Sequence, residues 1–295
     1  MSNVNVAIRV PALLGEGPSW DAENGRLLWV DIEGFKVHAY DPVTGLDEAF
    51  DVGQHVGAVF PYQGDEVMVA LRSGFHAFHL RTGRLQLIED PEQGLDGNRF
   101  NDGKCDAHGR FWAGTMSMRN ESGTGALYCL EEGQPVRTWV KGVSTSNGLG
   151  WSTDRTAMYY IDTPTRCIDR FDFDLTSGTL SNRTTLIEVP EALGFPDGMT
   201  VDAEGMLWVA HWGGGCVTRW NPDTGELLQR IDVPADQVTS CCFGGENLED
   251  LYITTARTGI REERLQETPD AGSVFVVRLG VKGQETHAYG KRNGA

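Results

Sequence analysis

The 295-residue sequence lacks the short motifs that mark the common metal, nucleotide and hydrolase sites. Its six cysteines form no CxxC pair and no small disulfide scaffold, so we expect free thiols in a reducing compartment. There is no P-loop and no GxSxG elbow. No apolar run is long enough to span a bilayer, and the first residues do not read as a signal peptide. These absences predict a cytoplasmic location.

Basic residues are also scarce. The sequence has 25 Lys and Arg against 42 Asp and Glu, a formal net charge of −17. An acidic surface repels phosphate backbones and anionic lipids, so we expect neither nucleic acid nor a membrane as a partner. Acidity is compatible with cation binding, but solubility is the preferred explanation. We expect a monomer or a weak homo-oligomer.

What the sequence does contain is a diverged repeat. Short apolar runs are punctuated by 37 glycines and by Asp, Asn and Pro, which is typical of many short strands joined by turns. A polar turn followed by a strand with a large apolar residue recurs six times at intervals of 40, 43, 47, 49 and 44 residues. The central residues of the six copies are Trp29, Val69, Trp112, Tyr159, Trp208 and Tyr252.

Each copy is long enough for four strands, which is the size of a propeller blade. The sequence therefore predicts an all-β fold, a six-bladed β-propeller with four-stranded antiparallel blades, and one domain spanning residues 1–295. A closed ring removes the exposed sheet edges that a linear stack would leave. The alternating segment VNVAIRV is predicted to close the last blade beside GSVFVVRL and ETHAY.

Four polar residues share one phase of the repeat. Glu16, Asn101, Asn147 and Asp197 lie 13, 11, 12 and 11 residues before their central residues, in segments expected to line the channel. Any one of them alone is adequately explained as a turn residue before glycine. Together they predict an oxygen-rich site at one channel mouth, suited to Ca²⁺, Mg²⁺ or Mn²⁺. Arg99 is a candidate for binding sugar hydroxyls or an oxyanion, or an exposed surface cation.

These segments resemble the senescence-marker-protein/gluconolactonase/regucalcin family over nearly the whole chain. The matching stretches are LGEGPSW, RFNDGKCDAHGRFWAGTM, SNGLGWS, YYID, FPDGMTVDAEGMLWVA, TSCCFGG and AGSVFVV. The resemblance implies a six-bladed propeller that hydrolyses sugar lactones to aldonic acids with one divalent ion in the channel. The ion is Ca²⁺, Zn²⁺, Mn²⁺, Mg²⁺ or Fe²⁺, and the sequence does not decide between them.

The resemblance also implies roles for single residues. Glu16, Asn147 and Asp197 correspond to metal ligands, and Asp197 is in addition the candidate catalytic base, with a metal-activated water as the alternative. Arg99 corresponds to the substrate-binding arginine, and Asn101 corresponds to a residue on the substrate side or the metal side. Glu121, in the segment SMRNESGTG after the GTM motif, is the candidate lid carboxylate.

Two other functions remain open at this point. The same metal site would serve a hydrolase of other esters or of organophosphates. A non-catalytic calcium-binding propeller is also compatible with the acidic charge, since a fold does not by itself imply a function.

Overall fold

Twenty-four β-strands succeed one another in residues 4–291, the part of the chain that this computed structural model describes. They form six antiparallel blades of four strands, and in each blade the first strand lies nearest the axis. Blades 1 to 3 are β2 (Gly15–Asp21), β3 (Arg26–Asp31), β4 (Lys36–Asp41), β5 (Leu46–Asp51); β6 (Val56–Gln63), β7 (Glu66–Leu71), β8 (Gly74–His79), β9 (Arg84–Glu89); and β10 (Asn98–Cys105), β11 (Phe111–Ser117), β12 (Gly125–Leu130), β13 (Arg137–Val143).

Blades 4 to 6 complete the ring, and the last of them takes its outer strand from the N-terminus. Their strands are β14 (Ser146–Trp151), β15 (Ala157–Asp162), β16 (Cys167–Asp174), β17 (Thr179–Glu188); β18 (Phe195–Val201), β19 (Leu207–Trp212), β20 (Cys216–Trp220), β21 (Leu227–Asp232); and β22 (Gln237–Gly244), β23 (Asp250–Ala256), β24 (Val274–Arg278), β1 (Asn5–Ile8). One short helix, α1 (Glu262–Glu267), interrupts the connection from β23 to β24.

Burial falls from the inside of each blade to the outside. Every residue of the inner strand β2 is buried, whereas the outer strands β5 and β9 are mostly exposed. Inner strands are mostly buried because neighbouring blades enclose them on both faces, whereas outer strands face water. All six central residues of the repeat lie in second strands, which confirms the predicted propeller.

The polar turn before the second strand has a structural purpose. In blade 5, Asp202 accepts hydrogen bonds from the backbone N–H groups of Glu204 and Met206 at 2.9 Å each, and from the indole N–H of Trp208 at 2.9 Å. In blade 3, Asp106 binds the indole of Trp112 in the same way, at 2.8 Å. The aspartate thus closes the turn and also satisfies the one polar atom of a fully buried tryptophan.

Ring closure follows the prediction in one part and departs from it in another. β1 pairs antiparallel with β24, with Val6 opposite Phe275, as predicted from the alternation of VNVAIRV. The prediction that ETHAY lies in this blade is wrong, because residues 285–289 form no strand.

The segment 281–291 instead crosses the end of the channel formed by the carboxyl ends of the inner strands. Its backbone forms hydrogen bonds with Leu248 in blade 6 and with residues 202–203 in blade 5. Further along, it forms hydrogen bonds with Gly109 in blade 3 and Pro61 in blade 2. The Gln284 amide donates to the carbonyl of Trp151 in blade 4. These polar contacts with five blades hold the segment away from the sheet edge. Within residues 4–291, no helix is long and apolar enough to cross a membrane.

Candidate active site

The six inner strands share an irregularity at the same depth in the channel. Each slips by a bulge against its second strand, and the slips fall between Glu16 and Ser19, Val56 and Ala58, Phe100 and Asp102, Asn147 and Leu149, Pro196 and Met199, and Val238 and Ser240. A bulge bends the strand and re-aims the side chain beside it, and bulges are common next to active sites. The predicted polar residues lie at four of these six bulges.

Glycine at the bulges allows neighbouring inner strands to approach closely. A Cβ atom at Gly148 would lie 2.7 Å from the carbonyl oxygen of Asp197, and one at Gly57 would lie 2.6 Å from the carbonyl carbon of Phe100. Such distances leave no room for a side chain. The glycine that follows Asn147 therefore brings blade 4 against the bulge of blade 5.

A cavity of about 440 Å³ opens over this ring of bulges. It is lined by five of the six predicted site residues, namely Glu16, Arg99, Asn101, Asn147 and Asp197. The structure does not bring Glu121 together with them. Glu121 is exposed in the segment after β11, and its backbone carbonyl accepts a hydrogen bond from Thr124 at 3.3 Å. The neighbouring Met118 and Asn120 line the cavity instead.

Two buried carboxylates dominate the electrostatics of the cavity. Glu16 is 3% and Asp197 5% exposed. Burial, followed by the charges of Asp197 and Asp102, raises the pKa of Glu16 well above its ordinary range. Burial and the charge of Asp102 likewise raise the pKa of Asp197, against a lowering contribution from the Asn147 side chain and from Arg99. A cation between these carboxylates would compensate their charge.

Asn147 supplies the clearest sign of a missing partner. Its Nδ2 donates to Thr163 Oγ1 at 2.9 Å, and the same hydroxyl donates to the carbonyl of Pro196 at 2.9 Å. These bonds fix the amide, yet its buried Oδ1 has no hydrogen-bond partner among the residues that the structure describes. A buried acceptor without a partner is costly and calls for an explanation such as an ion.

The donor set of Glu16, Asn147 and Asp197 fits a hard or borderline divalent cation. All three offer oxygen, the ligand atom that Ca²⁺, Mg²⁺ and Mn²⁺ prefer. Among residues 4–291, no cluster of three or more His, Cys, Asp and Glu side chains is arranged to hold a metal. The candidate site has two carboxylates, and its third oxygen donor is the amide of Asn147.

Arg99 and Asn101 form a rigid pair beside the carboxylates. Arg99 Nη1 donates to Asn101 Oδ1 at 2.7 Å and to the carbonyl of Phe100 at 3.0 Å, while Asn101 Nδ2 donates to the carbonyl of Ser146 at 2.9 Å. Burial lowers the pKa of Arg99 to about 10, so the guanidinium keeps its charge at neutral pH. The pair therefore presents the Arg99 guanidinium in a fixed orientation to a ligand in the cavity.

Several cavity-lining residues carry no signal in the repeat. Glu33, His55, Trp212 and Thr258 also line the cavity, and all four lie at or beyond strand ends. Asp102 lies on the other side of the bulge from Asn101, buried in the channel, and burial raises its pKa to about 6. The acidic and aromatic character of the strand-end loops was the only available hint.

The chain is similar to known proteins over nearly its whole length. The family described as "SMP-30/Gluconolactonase/LRE-like region" matches residues 14–257. Bacillus subtilis YvrE, provisionally named a sugar lactone lactonase, is 44% identical over 93% of this chain and 94% of its own. Regucalcin of Danio rerio is 41% identical over 98% of this chain and 99% of its own.

Among solved structures, the regucalcin of Agrobacterium tumefaciens strain C58, described as a calcium-binding protein, superposes with a TM-score of 0.94. It is 30% identical, and the match covers 98% of this chain and 97% of the other. The sequence match and the shared fold extend over nearly the whole ring. The chain therefore belongs to the SMP-30/gluconolactonase/LRE-like family.

Proposed function

We propose that the protein is a metal-dependent lactonase that hydrolyses sugar lactones to aldonic acids. The observation that carries the proposal is the buried pair Glu16 and Asp197 around the unpartnered Oδ1 of Asn147, next to the fixed cation of Arg99. The name of the Bacillus subtilis relative supports a sugar lactone as substrate, and the description of the Agrobacterium tumefaciens relative supports calcium as one candidate ion.

Glu16, Asn147 and Asp197 would hold the ion. When bound, a divalent cation supplies Lewis-acid stabilisation for the negative charge that develops on the carbonyl oxygen of an ester. The protein contributes the fixed positions of the three oxygen donors, set by the bulges and by the bond from Asn147 to Thr163. Such preorganisation means that little rearrangement is needed during the reaction.

Asp197 is the candidate base for the attacking water. It accepts a proton from the water as the oxygen forms a bond to the lactone carbonyl carbon. The ring C–O bond then breaks, and the departing alkoxide oxygen takes that proton back, which yields the open-chain aldonic acid. The acid then loses its carboxyl proton to solvent and becomes the aldonate, and this is the proton that a proton-release assay detects. Arg99 donates to the ring hydroxyls, Asn101 donates to or accepts from them, and the two residues so orient the carbonyl toward the water.

The test is a proton-release assay over a panel of aldonolactones, after chelation and repletion with single divalent metals. We expect turnover only with metal restored, and a loss of at least about a hundredfold in Asp197→Ala, since general-base catalysis contributes ~10²–10⁴-fold. Asp223→Ala, at an exposed turn, is the control. Full activity of Asp197→Ala would remove this residue from the mechanism.

The same panel decides between the alternatives. A preference for aryl esters or phosphotriesters would replace the lactonase proposal by another hydrolase. Calcium binding in calorimetry without turnover of any substrate would favour the calcium-binding function described for the Agrobacterium tumefaciens relative.

A further inference from the structure

We propose that Glu33 is a substrate-recognition residue that accepts hydrogen bonds from the hydroxyl groups of a neutral lactone and rejects lactones that carry negative charge. The inference rests on the proposed lactonase function. It concerns a wall of the cavity built by loops, away from the residues that would hold the metal.

The position of Glu33 is fixed from two directions. It lies in the turn between β3 and β4, where Asp31 Oδ1 accepts hydrogen bonds from the backbone N–H groups of Gly34 at 3.0 Å and Leu14 at 2.9 Å. Thr258 Oγ1, from the loop after β23, donates to Glu33 Oε2 at 2.7 Å. A carboxylate held in this way is preorganised for a ligand, because little freedom is lost on binding.

One oxygen of Glu33 remains available. Within residues 4–291, Oε2 is taken by Thr258 and no donor bonds Oε1. Both hydrogen bonds of the Arg99 side chain in the same range come from Nη1. The cavity thus contains one acceptor, Glu33 Oε1, and one donor, the Arg99 guanidinium, that can each form a further hydrogen bond. A sugar hydroxyl can donate to the first and accept from the second.

The charges around Glu33 favour a neutral ligand. Burial lowers the pKa of Arg99, and the charge of Glu33 opposes that shift more than Glu16 or Asp197 does. When a bound cation keeps Glu16 and Asp197 ionised, the three carboxylates and the one guanidinium of the cavity lining sum to −2. A divalent cation brings the sum to zero. A neutral lactone preserves this balance, whereas a phosphate or carboxylate on the substrate would add a buried charge without a partner.

Trp212 and His55 complete the wall. Trp212, at the end of β19, lines the same cavity and packs against the core cluster of blades 1 and 2. His55 has its pKa lowered by burial and by Arg99, so it is neutral at pH 7 and adds no charge. An aromatic face beside converging polar groups is typical of sites for small polar ligands.

The experiment compares Glu33→Gln with wild type on two substrates, neutral D-galactono-1,4-lactone and the anionic D-glucaro-1,4-lactone, in metal-replete enzyme. We expect kcat/KM for the neutral lactone to fall roughly tenfold, mainly through KM, because the charged acceptor is lost while its shape is kept. The ratio of anionic to neutral turnover should rise. Thr258→Val, which releases the carboxylate, should lower the neutral kcat/KM by about fivefold.

Two further measurements distinguish a loss of substrate recognition from a general disruption of the fold. Glu48→Gln, at an exposed position of the outer strand β5, should match wild type on both lactones. Calorimetric binding of 1,5-anhydro-D-glucitol, a neutral ring without the reactive carbonyl, should weaken in Glu33→Gln while calcium binding persists. If the wild type is active but Glu33→Gln leaves the KM, the ratio of anionic to neutral turnover and the binding of 1,5-anhydro-D-glucitol unchanged, this inference is overturned and the proposed function is not. A wild type inactive on all lactones would overturn the proposed function and this inference with it.

Discussion

Asn147 shows how one side chain at a bulge becomes committed to a ligand. Its nitrogen is anchored to Thr163 and its oxygen is left buried without a partner. An arrangement that served stability alone would pair both ends of the amide. Binding of an ion would recover the free energy that this unpaired acceptor costs the metal-free protein.

The first prediction follows from that cost. Asn147→Ala should leave the unfolding temperature of the metal-free protein unchanged or slightly raised, because a buried unsatisfied acceptor is removed. It should also lower the stabilisation that added metal confers, since binding to the native state alone stabilises it by mass action. Thermal unfolding with and without Ca²⁺ or Mn²⁺ measures both effects. Equal metal-induced shifts in variant and wild type would exclude Asn147 as a ligand.

His211 is a second residue whose environment has a measurable consequence. It is fully buried in blade 5, with Nε2 and Thr218 Oγ1 2.6 Å apart and Nδ1 without a partner. Burial, followed by the charge of Arg230, lowers its pKa from 6.5 to about 4. Between these two pH values the unfolded chain binds a proton that the folded protein does not.

Stability should therefore fall as the pH drops from about 6.5 toward 4, with His211 contributing about 2–3 kcal/mol over that window. Urea unfolding of wild type and His211→Gln at pH 7.5 and pH 5 tests this. The variant should lose less stability on acidification than wild type. An identical loss in both proteins would show that His211 is not a source of the pH dependence.

At the scale of the element, the repeat is explained by the turn before each second strand and by the bulge in each first strand. Asp202 closes its turn, holds Trp208 and also binds Arg219 Nε at 2.8 Å. This is why the motif DAEGMLW is readable in the sequence: one carboxylate satisfies several donors at fixed spacing. The bulge carries no comparable signature, since it depends on pairing between strands.

Asp202→Ala should destabilise the protein by about 2–4 kcal/mol, because it leaves a buried indole N–H and two backbone N–H groups without acceptors. Asp223→Ala, at the exposed turn after β20, is the matched control and should change stability by no more than about 0.5 kcal/mol. Chemical unfolding of the three proteins gives both values. Similar stability of the two variants would show that the turn aspartate is dispensable.

Whether a residue has a phase in the repeat explains what could be predicted from the sequence. Glu16, Asn101, Asn147 and Asp197 were accessible because blades in a ring bring equal repeat phases to one axis. Glu33 and Thr258 were not, because strand-end loops have no repeat phase and meet only through the closure of the ring. ETHAY alternates like a strand, but alternation cannot reveal that hydrogen bonds to several blades hold it across the channel.

At the scale of the whole molecule, the ring is closed by β1 on β24. Removal of residues 1–8 should expose the edge of β24, lower the unfolding temperature by about 5–10 °C and promote association through the free edge. Removal of residues 1–3 alone is the control. Thermal unfolding and light scattering measure the two effects. A monomeric deletion variant of wild-type stability would show that closure does not depend on this strand.

The C-terminal segment 281–291 gives the channel a floor. Gln284 and its neighbours line a smaller pocket of about 70 Å³ at the end opposite the cavity, so the cavity of about 440 Å³ is the wider route to a molecule bound near Asp197. For the proposed reaction, product must depart before the next lactone arrives, and product and substrate compete for this route. The aldonate that leaves is an anion, and it adds a charge without a partner to a lining that the metal has brought to zero, which favours its departure.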